Sequence, residues 1–226
     1  MSKTLIVMGN GPSLKDVDFE LLKKYDTFGL NAAYRKYDEI DFYPTYFGSF
    51  DYVVTDSHRA GYQAMINNNK VKKCFFIRPY FKGERFQHCN LIPGDFINNR
   101  LSSSFTQFYD QGNSGVNACQ VGIMLGYEKI ILIGVDQNYT EFVDGSKKLG
   151  NQLQMEKTPD TNPNYWFDDY QQKGDIYNVP QLNKFQKPAW ESFANKAKKR
   201  GIDVVNCSPI STLNNFRKST LEKELE

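Results

Sequence analysis

Short runs of apolar, largely β-branched residues recur along the chain at 4–8, 27–30, 45–48, 74–77, 129–135 and 203–206, each bounded by turn residues. Between them lie patterns of helical period at 18–24, 56–67, 115–126 and 183–200. Strand alternating with helix predicts a mostly parallel sheet with helices on both faces. The expected fold class is therefore α/β and Rossmann-like, with ligands taken up beyond the carboxyl ends of the strands. The loops after Met8, Leu30, Gly48 and Val135 should then surround one crevice.

A chain of 226 residues with 40% hydrophobic and 15% aromatic content can fill one large core, so a single domain over residues 1–226 is expected. Residues 137–180 break the rhythm. They are rich in Asn, Gln, Asp, Lys, Tyr and Pro, yet carry Tyr139, Phe142, Tyr165, Trp166, Phe167, Tyr170 and Tyr177, which favours a lid-like insertion over a disordered loop. The tail "RKSTLEKELE" reads as a solvated, fraying helix.

Lys and Arg number 28 against 26 Asp and Glu, and the charges are scattered, so nothing in the totals points to nucleic acid or anionic lipid. Cys74, Cys89, Cys119 and Cys207 are far apart, and His58 and His88 are the only histidines, so structural zinc is not expected. No apolar run approaches membrane-spanning length, and the first residues lack the order of a signal peptide. A cytoplasmic, reduced protein is expected, and a homo-oligomer is compatible with it.

Two stretches carry the candidate chemistry. In "LIVMGNGPSLKD", residues 5–16, Gly9 and Gly11 flank Asn10 and permit a sharp turn with N–H groups facing outward, while Pro12 and Ser13 suit the first turn of a short helix. Such a strand, turn and helix end is an anion site in principle. Leu14 replaces the third glycine of the dinucleotide fingerprint, and no Gly-Lys-Ser/Thr follows. Asn10, and Asn31 at the end of the second strand, offer amides that donate and accept. In residues 112–139, Asn113 or Ser114 caps a helix ended by Gly126, and "KIILIGVD" makes a buried strand. Asp136 at its end either accepts from a ribose hydroxyl or caps the next turn. Asp18 of "DVD" is better read as the cap of "FELLKKY" than as half of a metal-holding pair.

"GNGPSLK", Asn31, and "SGV" followed by Cys119, "LGY" and "IGVD" resemble the bacterial sialyltransferases that use CMP-sialic acid. They are equally similar to the superfamily of 6-hydroxymethylpterin diphosphokinase MptE-like proteins, which includes flagellin-glycosylation accessory factors. "NPNYWFDDYQQKG" looks like that superfamily's Asn-His-Phe…Asp-Tyr…Gly segment. The resemblance implies a metal-independent glycosyltransferase that moves a sugar, of sialic-acid type, from a CMP-type nucleotide donor to a hydroxyl of a glycan or small-molecule acceptor. At the donor it implies Asn10, Gly11, Asn31, Ser114 and Asp136, with Gly9, Ser13, Asn113 and Gly115 beside them in the same motifs. Ser49 and Asp51 occupy the region of a further donor-binding asparagine without matching it. Tyr139 is nearest to the tyrosines that bind the departing phosphate.

The resemblance breaks at two positions. Tyr165 stands where the wider family has a histidine and Gln111 where the sialyltransferases have an arginine, which removes a fixed charge. A replacement base is expected in Asp169, made basic by burial beneath Trp166 and Tyr170, with His58 as the other option. No cofactor or metal is expected on this reading. One rival is diphosphoryl transfer from ATP to a hydroxymethyl compound such as a pterin, which needs Mg²⁺. Another is a non-catalytic nucleotide-binding accessory protein.

Overall fold

The chain begins with β1 (Thr4–Met8), α1 (Phe19–Leu22), β2 (Thr27–Leu30), β3 (Tyr46–Ser49), α2 (Tyr52–Ser57) and α3 (Arg59–Asn67). It continues through β4 (Lys73–Phe76), β5 (Phe86–His88), β6 (Leu91–Ile92), β7 (Phe108–Tyr109), α4 (Ser114–Met124) and β8 (Lys129–Ile133). It ends with β9 (Ser146–Leu149), β10 (Gln152–Met155), β11 (Ile176–Asn178), α5 (Lys187–Lys199), β12 (Asp203–Asn206), β13 (Arg217–Lys218) and α6 (Leu221–Leu225). This computed structural model describes residues 3–140 and 142–226, so Glu141 of the expected lid lies outside the described residues.

Eight strands form one sheet in the order β13-β12-β8-β1-β2-β3-β4-β5, and every neighbouring pair is parallel. Leu5, Val7, Phe28, Leu30, Ile130 and Leu132 point to one face, where α4 and α5 bring Val116, Trp190 and Phe193. Ile6, Met8, Ile131 and Ile133 point to the other, where Leu22, Tyr62 and Met65 meet them. The alternation follows from the two-residue period of a strand, and burial on both faces explains why the runs read as continuously apolar. The chain leaves β1 toward β2 on one side and later returns to β8 on the other. That reversal is a topological switch point, which opens a crevice beyond the strand ends between β1 and β8.

Several expected boundaries move. The helix expected at 56–67 starts earlier and divides at His58, because Asp51 accepts from the N–H groups of Val53 and Val54 and nucleates α2. The helix expected at 18–24 shrinks to α1, capped by Asp18 as anticipated. Residues 137–180 are not featureless: β9, β10 and β11 pair antiparallel into a small separate sheet. The tail is docked rather than solvated. Its β13 extends the main sheet, Leu221 is buried, and Glu224 takes Arg217 at 2.5 Å and Lys129 at 3.0 Å, which pulls its carboxyl well below the usual range. Among the described residues no helix is long and apolar enough to cross a membrane.

Candidate functional site

A cavity of about 560 Å³ opens over the carboxyl ends of β8, β1, β2 and β3, within the range of small-ligand sites. Gly9 and Asn10 after β1, Asn31 after β2, Phe50 and Asp51 after β3, and Gln137 and Tyr139 after β8 all contribute to its wall. These are the four loops expected to converge. The first turn of α4 supplies Ser114 and Gly115, with the capping Asn113 beside them, and Tyr165, Tyr170 and Tyr177 close the cavity from the insertion.

The glycine turn spends the N–H groups of both its glycines within the chain. Gly9 N–H donates to Ile133 O at 2.7 Å and Gly11 N–H to Gly134 O at 2.8 Å. Ser13 donates both its N–H, at 2.9 Å, and its hydroxyl, at 2.5 Å, to the Asp136 carboxylate, which is 2% exposed. A Cβ on Gly11 would overlap Asp136 Oδ2, and one on Gly9 would overlap Gly134 O, which is why both positions are glycine. The anion held by this turn is thus the protein's own carboxylate. Gly11, Ser13 and Asp136 lie under the cavity and stitch its floor together, rather than lining it. The geometry gives Asp136 a third role, neither on the cavity wall nor as cap of the turn that follows it: its carboxylate holds Ser13 in the first turn after β1.

The other expected donor residues fall into two groups. Asn10, Asn31, Ser114, Gly115 and Gly9 reach the cavity. Asn113 and Asp51 reach it too but are partly occupied: Asn113 Oδ1 caps α4 through Gly115 N and Val116 N, and its amide donates to Gln186. Asp51 Oδ1 caps α2, while its Oδ2 accepts from Asn178 Nδ2 at 2.8 Å and so ties β11 of the insertion to the sheet. Ser49 is fully buried beside Thr55 and lies away from the cavity.

The candidate bases are placed differently from expectation. Asp169 is exposed, its carboxylate within reach of Gln172, so it lacks the burial expected of it and does not line the cavity. His58 is buried against Tyr34 and Asp175 outside the cavity, and burial lowers its pKa to about 4. Gln111, in place of the arginine, is buried in a network that binds the carbonyls of Arg100 and Tyr109 and the Lys196 ammonium.

Tyrosine supplies most of the hydroxyls. Tyr165 stacks on Tyr170 at 3.9 Å between ring centroids and sits 6.2 Å from Tyr139. Burial raises Tyr139 and Tyr177 to about 12 and holds Tyr165 and Tyr170 well above their ordinary value. All four stay protonated near neutrality and act as neutral donors, not bases. Among the described residues lining the cavity there is no Lys, Arg or His, and its carboxylates, Asp51 and Asp110, are both engaged in hydrogen bonds. Four lining residues keep a buried polar atom with no partner: Asn10 Oδ1, Asn31 Oδ1, Gln137 Oε1 and Trp190 Nε1. Three more such atoms, on Tyr37, Tyr62 and Trp166, lie outside the cavity; the four in its wall are those a bound polar ligand could complete. Asn10 and Asn31 belong to the expected set. Gln137 and Trp190 fall outside the expected set; the available signal was that Gln137 lies in the loop after β8 at the switch point.

The insertion is latched by Arg35, whose guanidinium meets the Asp175 carboxylate at 2.5 and 2.9 Å and the carbonyl of Tyr170 at 2.8 Å. Tyr170 in turn accepts from Ala32 N–H at 3.2 Å. Among the described residues, no group of three or more His, Cys, Asp or Glu side chains gathers to hold a metal ion.

No protein-family model matches the chain, and no curated protein sequence matches it. Solved structures do. The sialyltransferase CstII from Campylobacter jejuni, in complex with cytidine-5′-monophosphate, superposes with a TM-score of 0.52 at 21% identity, over 96% of this chain and 84% of that one. The same enzyme has been solved with a trisaccharide acceptor and CMP, at a TM-score of 0.51 and 20% identity, over 96% and 85% of the two chains. A monofunctional α-2,3-sialyltransferase, Cst-I from Campylobacter jejuni, gives 0.54 at 18% identity over 96% and 79%. The MAf glycosyltransferase from Magnetospirillum magneticum AMB-1 gives 0.57 at 13% identity, over 97% of this chain but 34% of its own. The chain has the fold of these sialyltransferase-like glycosyltransferases, as the sequence resemblance implied.

Proposed function

We propose that the protein is a glycosyltransferase that takes a CMP-activated sugar of sialic-acid type and passes it to a hydroxyl of a glycan or small molecule. The observation that carries this reading is a cavity without a lining cation, furnished with neutral donors and amides, at the switch point of the sheet. The phosphodiester and the sugar carboxylate of such a donor each bear one charge, on separate groups, and each can be held by hydroxyl and N–H donors. A di- or triphosphate concentrates charge that lining side chains of this kind do not balance. The CMP held by CstII, and its trisaccharide acceptor, support the same donor and acceptor classes here.

In the reaction the acceptor oxygen bonds to the anomeric carbon as the bond from that carbon to the phosphate oxygen breaks, and CMP leaves. Tyr139 and Tyr165, as protonated phenols in a half-buried site, would donate to the phosphate as its charge grows, which is where preorganised donors lower a barrier most. The acceptor's proton needs a base near the cavity. Asp51, whose Oδ2 is held by one amide, is the lining carboxylate best placed for it, with Asp169 exposed on the outside.

The experiment is CMP release from CMP-sialic acid with a panel of sugar acceptors, in EDTA and in Mg²⁺. Acceptor-dependent release that EDTA leaves intact supports the reading. AMP formation from ATP with a hydroxymethyl pterin, dependent on Mg²⁺, would replace it with the diphosphokinase, and nucleotide binding without turnover of any donor would make the chain an accessory protein.

A further inference from the structure

The unpartnered carbonyl oxygens of Gln137, Asn10 and Asn31 belong to residues that follow β8, β1 and β2, neighbours in the sheet. The loops that carry these residues follow adjacent strands and share one cavity wall. Gln137 is 4% exposed and lines the cavity, yet its Oε1 has no partner. Its backbone is in the left-handed region, φ 54°, which glutamine seldom adopts, and so is that of Asn31, φ 53°. The backbone is also pinned from behind. Thr212 donates its hydroxyl to Gln137 O at 2.7 Å and its N–H to Asp136 O at 2.9 Å, while the Asp136 side chain is held by Ser13. A backbone held in an uncommon conformation, carrying a side-chain oxygen left unsatisfied against a cavity, is preorganised for something that comes from outside.

We infer that Gln137 is a specificity-determining residue for the nucleoside, its Oε1 accepting a hydrogen bond from an N–H or O–H of the bound nucleotide. The inference rests on the nucleotide-donor reading above. The oxygen of the amide accepts and does not donate, so the part of the ligand that meets it presents a donor: the exocyclic amine of cytosine or a ribose hydroxyl. The phosphate then takes hydroxyl donors of the wall, among them Ser114, Tyr139 and Tyr165.

Calorimetric titration of the full chain with CMP, UMP and 2′-deoxy-CMP tests this, comparing wild type with Gln137→Met, which keeps length and loses the amide. Loss of one hydrogen bond predicts CMP binding about tenfold weaker in Gln137→Met, with the melting temperature of the free protein unchanged. UMP reports the amine and 2′-deoxy-CMP the hydroxyl. Whichever analogue binds the wild type more weakly than CMP should lose nothing further in the variant. The inference is overturned if Gln137→Met binds CMP within threefold of wild type, or if both analogues lose as much in the variant as in wild type. If wild type itself does not bind CMP, the nucleotide reading fails first and takes the inference with it. Should Gln137→Met not fold, Gln137→Gly, whose backbone accepts a positive φ, replaces it under the same criteria.

Discussion

Replacing Asp136 by alanine separates a structural carboxylate from a ligand contact. In the folded protein its oxygens take the Ser13 N–H at 2.9 Å and the Ser13 hydroxyl at 2.5 Å, and both residues are buried. Asp136→Ala leaves those donors without partners. Each such loss costs about 1–3 kcal/mol, more when the lost partner is charged, so a destabilisation of about 3–5 kcal/mol is expected. For a chain of this size 1 kcal/mol moves the melting temperature by about 2–4 °C, which predicts a fall of roughly 6–20 °C. Ser13→Ala removes the hydroxyl only and should cost less, about 1.5–3 kcal/mol. The double variant should resemble Asp136→Ala alone, because its carboxylate partner has already gone. Urea unfolding with CMP titration at a temperature where all variants are folded is the assay. A fall below about 3 °C combined with a large loss of CMP affinity would refute the argument and return Asp136 to the ligand.

His58 sets a pH dependence. Burial lowers its folded pKa to about 4, below its ordinary 6.5, so between those values the unfolded chain binds more protons than the folded one. The stability involved is complete above about pH 6.5 and is lost as the pH falls toward 4, at no more than about 1.4 kcal/mol per unit. Urea unfolding across this window should show the decline in wild type and a flatter profile in His58→Asn. Arg35→Ala leaves Asp175 buried without its partner, which predicts a loss of about 3–5 kcal/mol and faster hydrogen exchange across residues 142–180 than in the sheet. Tyr139→Phe should keep the melting temperature and lower kcat for CMP release about 10²-fold with little change in KM, if its hydroxyl meets the phosphate only as charge develops.

The parallel sheet was legible because strands covered on both faces need continuous apolar runs, and 129–135 and 4–8 supply them. The edges were not. β5 and β13 are two or three residues long, too short for a period, and depend on pairing that only the assembled sheet offers; β6 and β7, which pair in a sheet of their own, are as short. The insertion's hairpin, with exposed Lys147 and Lys148 on β9, has one wet face and little apolar signal. The position of the crevice followed from the strand order and was readable. What the glycine turn holds was not, because its partner is 123 residues away and competes for the same N–H groups that a ligand would use. Asp169 was read as buried from the aromatic residues near it in sequence, yet Trp166 and Tyr170 turn inward while the 3₁₀ turn at 168–170 leaves Asp169 outside. Gln137 lies in a polar stretch where one amide among many carries no pattern, and only its backbone conformation and empty carbonyl distinguish it.

The central claim is that this cavity holds a cytidine monophosphate unit without help from a metal. The most direct measurement is the melting temperature of the full chain in the presence of CMP, CDP, UDP, GDP and ATP, each with Mg²⁺ and with EDTA, since a ligand bound only by the folded form raises it. The expected result is a rise with CMP that EDTA leaves unchanged and that Asn31→Ala abolishes. A rise with ATP alone, and only in Mg²⁺, would contradict it.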